Sequence, residues 1–174
     1  MVKIRIAGIE RESVVDGPGV RVVIFGQGCP HRCPGCHNEH TWDPEGGFLM
    51  NADEIIEEIL QSKIARGVTF SGGEPFYQAS AFAYIGREVK KHGLDVVTYT
   101  GYVFEELLEL AESKEDFFDL LCCSDYLIDG PFILAQRDLS LAFRGSKNQR
   151  IIDVKKSLES GRTVLKSEWE TLVV

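Results

Sequence analysis

The sequence predicts an α/β protein built on a mainly parallel sheet. Short runs rich in β-branched residues alternate with stretches of helical period through most of the chain, and unusual loops follow successive β-like runs. The length of 174 residues, 44% of them hydrophobic, supports one buried core. Residues 1–174 are therefore expected to form a single domain, since no linker, low-complexity tract or repeat interrupts the pattern.

Taken in order, residues 2–7 and 20–25 read as strands, the second leading straight into a cysteine-rich loop. Asn51 with Glu54 three residues on has the form of a capping box, after which Ile55, Ile56, Ile59 and Leu60 line one face of a helix. "GVTF" at 67–70 is a short strand. The spacing predicts a helix over 78–91 with Phe82, Ile85 and Val89 inward and Gly93 as its stop. Residues 94–99 return as a strand, 103–112 as a helix with Leu107 and Leu110 inside, and 126–128 as a strand. In parallel sheets the strand-to-helix loops gather chemistry at the carboxyl ends of the strands. That edge would carry "GCPHRCPGCHN" (28–38), "SGGEP" (71–75) and "TGY" (100–102).

Charge and composition narrow the function. A net charge of −8 argues against general nucleic-acid binding, which needs a basic footprint. The charge is uneven, with eight basic residues against three acidic ones between 131 and 166. The N-terminus lacks the features of a secretory signal, and no apolar stretch approaches the roughly 20 residues that span a bilayer. A cytoplasmic location without membrane contact is expected. Five cysteines, three of them in one loop, then favour metal or redox chemistry over a disulfide framework.

Cys29, Cys33 and Cys36 admit two metal readings. Structural zinc usually takes two separated ligand pairs, so a zinc site here would need His31, His37 or His40 beside the three thiols. A four-iron cluster suits C-x3-C-x2-C better, because three thiolates from one loop can hold three irons and leave the fourth open. Cys122 and Cys123 are expected to pack as small hydrophobes; a fourth thiolate from them would make the protein an electron carrier. His92, near a helix end, reads as a cap-like residue.

The cysteine spacing together with "SGGEP" resembles the signature of the radical S-adenosylmethionine (SAM) enzymes. "DGPG" (16–19), "CPGCHN" (33–38), "TW" (41–42), "SGGEP", "YTGY" (99–102), "LIDGPF" (127–132) and "RGSKNQRIID" (144–153) together resemble the activating-protein family of the anaerobic ribonucleotide reductase. These motifs cover a core of about 5–154 and leave a C-terminal extension, 155–174, outside any motif.

The resemblance implies a partial, open (β/α) radical SAM barrel. A complete eight-unit barrel takes about 250 residues, so one side should stay open, which suits a protein loop as substrate. It further implies a [4Fe-4S] cluster on Cys29, Cys33 and Cys36, with SAM on the open iron. Gly72, Gly73 and Glu74 would meet the methionine amino group. Gly35 stands where many radical SAM enzymes place an aromatic residue, so the adenine contact would fall to backbone around Cys36 and His37, or to Trp42 or a loop aromatic.

The implied reaction is reductive cleavage of SAM to methionine and a 5′-deoxyadenosyl radical, which forms a glycyl radical on the anaerobic ribonucleoside-triphosphate reductase. A flavodoxin or ferredoxin-type protein would supply the electron. Alternatives are an activase of another glycyl-radical enzyme, a small-molecule radical SAM enzyme of the deazaguanine synthase type, and a non-enzymatic ferredoxin-like or zinc-binding module. The basic C-terminal segment and the acidic helix 105–112 read either as docking surfaces or as solvated faces. Arg144, Lys147 and Arg150 could meet the SAM carboxylate or partner acids.

Overall fold

The computed structural model describes residues 1–172. Seven strands form one open sheet: β1 (Lys3–Ser13), β2 (Arg21–Gly26), β3 (Phe48–Asn51), β4 (Gly67–Gly72), β5 (Asp95–Tyr99), β6 (Tyr126–Asp129) and β7 (Arg150–Asp153), in the order β3-β1-β2-β4-β5-β6-β7. The middle four, β2-β4-β5-β6, are parallel. The flanks are antiparallel, β1 to both β2 and β3, and β7 to β6. The parallel sheet expected from the alternation is thus the centre of a mixed one. Its two edge strands, β3 and β7, lie at opposite ends of the order, so the sheet is not closed on itself.

Five α-helices accompany it: α1 (Ala52–Gln61), α2 (Ala79–Lys90), α3 (Phe104–Ala111), α4 (Glu115–Cys123) and α5 (Val154–Ser160). Adjacent strand residues point to opposite faces, and both faces are covered, so the central strands are apolar on both sides. Val96, Leu127 and Ile152 join the large cluster under the helices, whereas their neighbours Val97, Ile128 and Ile151 join a smaller one with Ala142, Phe143 and Trp169. Trp169, in the C-terminal extension, stacks 4.2 Å from the Tyr126 ring and so covers the second face of the sheet.

Several local readings change. The strand over residues 2–7 runs on to Ser13, since β2 supplies a ladder for residues whose charges point outward, with register shifts marking bulges on the way. The expected capping box at α1 is absent: Asn51 Nδ2 donates to the Glu54 carboxylate at 3.2 Å instead of capping a backbone N–H. The helix expected from Gln78 begins with a 3-10 turn, Pro75–Gln78, because Pro75 is well suited to a first helical position. β3, β7, α4 and α5 went unread, each too short or too charged to show a period.

Candidate functional site

The parallel strands bring the unusual loops to one edge. After β2 comes the cysteine loop; β4 runs into Gly72 and Gly73, β5 into Thr100 and Gly101, and β6 into Gly130 and Phe132. All these loops border one chamber of about 130 Å³, and Cys29, Cys33 and Cys36 line it together. Beside it lies a larger chamber of about 530 Å³, bordered by Asp16, His37, Phe132, Phe143 and Arg144. Cys36, Asn38, Ser71, Tyr99, Phe132 and Gln149 belong to both walls.

Close backbone packing explains the glycines at this edge. Gly72 has φ +89°, and a Cβ there would lie 2.7 Å from the Gly26 backbone; one at Gly73 would run into the Gly28 carbonyl. Gly73 N–H donates to Gly26 O at 2.8 Å, and Glu74 N–H to Gly28 O at 2.9 Å. The segment before the cysteines is thereby laced to "SGGEP" backbone to backbone.

Glu74 is buried, and its carboxylate is fully used within the protein. Oε1 accepts from Thr100 Oγ1 and Gly101 N–H, both at 2.8 Å, and lies 2.6 Å from His31 Nε2; Oε2 accepts from Phe76 N–H at 3.0 Å. The His31 ring packs edge-on against Tyr102, centroids 4.6 Å apart, and leaves no room for a side chain at Gly101. One carboxylate thus ties together the loops after β2, β4 and β5. The sequence points to Glu74 as a cofactor residue and to His31 as a candidate zinc ligand, and does not show that the two meet.

All five cysteines are free thiols. Burial pushes the Cys29 thiol above its usual value, while the backbone N–H groups of His31 and Arg32 pull it down. The Asn38 N–H donates to Cys36 Sγ at 3.3 Å. Such N–H donors favour a thiolate. Among the described residues, no three His, Cys, Asp or Glu side chains form a group that could hold a single metal ion. A zinc site made with His31, His37 or His40 thus finds no such group among the described residues. Three half-exposed thiols around one chamber, with amide donors to sulfur, do fit a multi-iron cluster, in which each thiolate takes a different iron.

The other sequence candidates fall in different places. His37 borders the larger chamber, edge-on to Phe132, and Gly35 lies against Leu134 and Phe132 outside both chambers. Trp42 borders the cysteine chamber. Cys123 packs as expected at 4% exposure, its thiol pushed up to about 12 by burial, but Cys122 at the end of α4 is exposed. Neither borders the cysteine chamber. His92 is exposed just past α2, its N–H donating to Val89 O at 3.0 Å, and His40 is exposed, its carbonyl accepting from Gln27.

Arg150 is not free for a ligand. Its guanidinium meets the buried Asp129 at 2.6 Å and Glu105 at 2.7 Å. The basic segment and the acidic helix therefore pair with each other at Arg150 and Glu105, as the reading of both as solvated faces with local ion pairs expects. Lys147 is exposed, while Arg144, 9% exposed, borders the larger chamber and lies 3.7 Å from Glu170.

These cysteines, edge and chambers define a class, that of iron–sulfur proteins with one cluster: a family model described as a 4Fe-4S single cluster domain matches residues 15–152. The chain is 39% identical over 147 residues to an anaerobic ribonucleoside-triphosphate reductase-activating protein from Vibrio cholerae, covering 80% of this chain and 91% of the relative. A protein of the same description from Escherichia coli K12 is 34% identical, covering 79% and 90%. A pyruvate formate-lyase-activating enzyme from Clostridium pasteurianum is 40% identical over 118 residues, 63% of this chain and 50% of its own. The chain belongs to the family of anaerobic ribonucleoside-triphosphate reductase-activating proteins. No helix among the described residues is long and apolar enough to cross a membrane.

Proposed function

We propose that this protein cleaves SAM reductively at a [4Fe-4S] cluster and so forms a glycyl radical on an anaerobic ribonucleoside-triphosphate reductase. The observation that carries this reading is the pair of adjoining chambers, one bordered by three thiols and the other larger and partly apolar, with Cys36 in both walls. When bound and reduced by a flavodoxin or ferredoxin-type donor, the cluster supplies one electron for homolysis of the SAM carbon–sulfur bond, which yields methionine and a 5′-deoxyadenosyl radical.

The residues divide this work. Cys29, Cys33 and Cys36 hold the cluster, and the wall they leave free of a fourth thiol is where SAM enters. Gly72 and Gly73 bring bare backbone to that wall, giving the SAM amino group carbonyl acceptors. Arg144, nearly buried beside the larger chamber, is the cation that faces the SAM carboxylate. His37 and Phe132 offer a ring surface for adenine, beside the backbone of Cys36. Glu74 acts at one remove, as a positioning residue under all three loops.

A protein substrate is favoured by the entrance. Val15 and Leu139, 59% and 82% exposed, stand at the larger chamber, and an apolar rim of this kind suits a polypeptide segment. The test is anaerobic reconstitution with iron and sulfide, reduction, and addition of SAM with the reductase. Formation of 5′-deoxyadenosine together with a glycyl radical signal on the reductase is expected. A loaded and reduced cluster that leaves SAM intact would overturn the proposal.

A further inference from the structure

Among the described residues, two that are not glycine have positive φ: Arg32, at 49° in the cysteine loop, and Phe143, at 60°. A bulky residue in that region is strained, and such strain persists only where the surrounding structure over-determines it, typically at ligand clamps and active sites. Phe143 opens the turn 143–149, of which Phe143, Arg144, Gly145 and Gln149 border the larger chamber.

Two side chains fix this turn at its ends. At the first end the Tyr99 hydroxyl, from the last residue of β5, donates to Phe143 O at 2.6 Å. At the other, Gln149 Oε1 accepts from the N–H groups of Gly145 and Ser146, at 2.9 and 3.2 Å, while its Nε2 donates to Gly130 O at 3.1 Å. Gly130 follows β6 and borders the cysteine chamber, so one carboxamide joins the turn to the next strand's loop. Asn148 Nδ2 repeats the link, donating to Pro131 O at 2.7 Å. The Phe132 ring closes over Gly145, where a Cβ would lie 3.1 Å from it. Arg144 stands between these ties, its side chain 9% exposed.

From this we infer that Tyr99 and Gln149 are positioning residues for SAM: together they hold the strained turn that keeps Arg144 at the larger chamber. The inference rests on the proposed function, in which Arg144 faces the SAM carboxylate. Without the hydroxyl or the carboxamide, Phe143 is free to relax to an ordinary backbone conformation, and Arg144, the next residue, turns with it. Ordering the turn then weighs against SAM binding, which a preset turn avoids.

The test is equilibrium dialysis of SAM against the loaded, unreduced protein. It compares wild type, Tyr99→Phe, Gln149→Met and Arg144→Ala, with the first two changes also made in the Arg144→Ala background. Each positioning variant should bind SAM about tenfold more weakly at equal iron and sulfide content, and change affinity less than about twofold once Arg144 is gone. A role in general stability alone would give losses that add. Fully additive losses, or wild-type affinity in both single variants, would overturn the inference while SAM binding stands. Wild-type affinity in Arg144→Ala removes that cation from the SAM site and the inference with it. A loaded wild type that binds no SAM overturns the proposed function as well.

A second measurement needs neither cluster nor SAM: amide hydrogen exchange at Gly145 and Ser146 in the unloaded protein. Both amides should exchange slowly in the wild type and at least about tenfold faster in Gln149→Met. Fast exchange in the wild type, or unchanged exchange in the variant, would show that the carboxamide does not hold the turn and overturn the inference.

Discussion

His31 Nε2 lies 2.6 Å from Glu74 Oε1, and this pair joins the cysteine loop to the strand end that carries the double glycine. His31 borders the smaller chamber, whereas Glu74 is 2% exposed and borders neither. A carboxylate so enclosed is stable only because four donors surround it, and those donors come from three different loops. Its consequence is mechanical, since the thiols stand where that network puts them.

Replacing Glu74 with Ala is therefore expected to cost about 3 kcal/mol by leaving buried donors unpaired. Glu74→Gln should lose less, as it keeps an acceptor for Thr100 and Gly101. Thermal unfolding and iron content after reconstitution measure the two effects. Full iron retention by the Ala variant would show that the thiols hold their places without this anchor.

Gly73→Ala pushes a methyl into the Gly28 carbonyl, and Gly72→Ala adds a left-handed backbone requirement to a similar clash. Each should destabilise the fold by about 2 kcal/mol and displace the cysteine loop, lowering iron uptake. Unchanged melting of both variants would contradict the backbone-to-backbone packing.

Thiol reactivity should sort the cysteines by environment. In the native unloaded protein, Cys29, Cys33, Cys36 and the exposed Cys122 are expected to alkylate, whereas Cys123, with its thiol pushed up to about 12 and its atoms buried, stays protected. Loading with iron and sulfide should reduce the labelled set to Cys122. Peptide mass spectrometry reads both patterns, and a loaded protein still labelled at Cys33 or Cys36 would exclude that thiol as a ligand.

Acid stability carries a signature of the Arg150 network. Arg150 holds the Glu105 carboxyl down from 4.5 to about 2. Because the folded value lies below the unfolded one, this contribution is complete above pH 4.5 and is lost as pH falls toward 2. Glu105 is half exposed, so Glu105→Gln should remove less than about 1 kcal/mol at neutral pH. Arg150→Ala strands the buried Asp129 and should cost about 2 kcal/mol, less than a fully buried pair because Arg150 is 31% exposed. Urea unfolding at pH 7 and pH 3 separates the two variants.

The parallel centre of the sheet was legible because its strands are buried on both faces and read as continuous apolar runs between clear helices. β3 escaped because it has four residues and exposes Phe48 and Leu49, and β7 because "RIID" follows a basic turn that draws the eye to its charges. At the site, the thiols and glycines announced themselves by type and spacing. The carboxylate network did not, since His31, Thr100 and Gly101 stand 43, 26 and 27 residues from Glu74 and only the strand order makes them neighbours. Arg150 misled for the same reason: its partner Glu105 is 45 residues away.

Cys36 borders both chambers, as do Asn38, Ser71, Tyr99, Phe132 and Gln149, so the two chambers share one wall. On the proposed function, an electron passing from a cluster in one chamber to SAM in the other would have only that shared wall to cross.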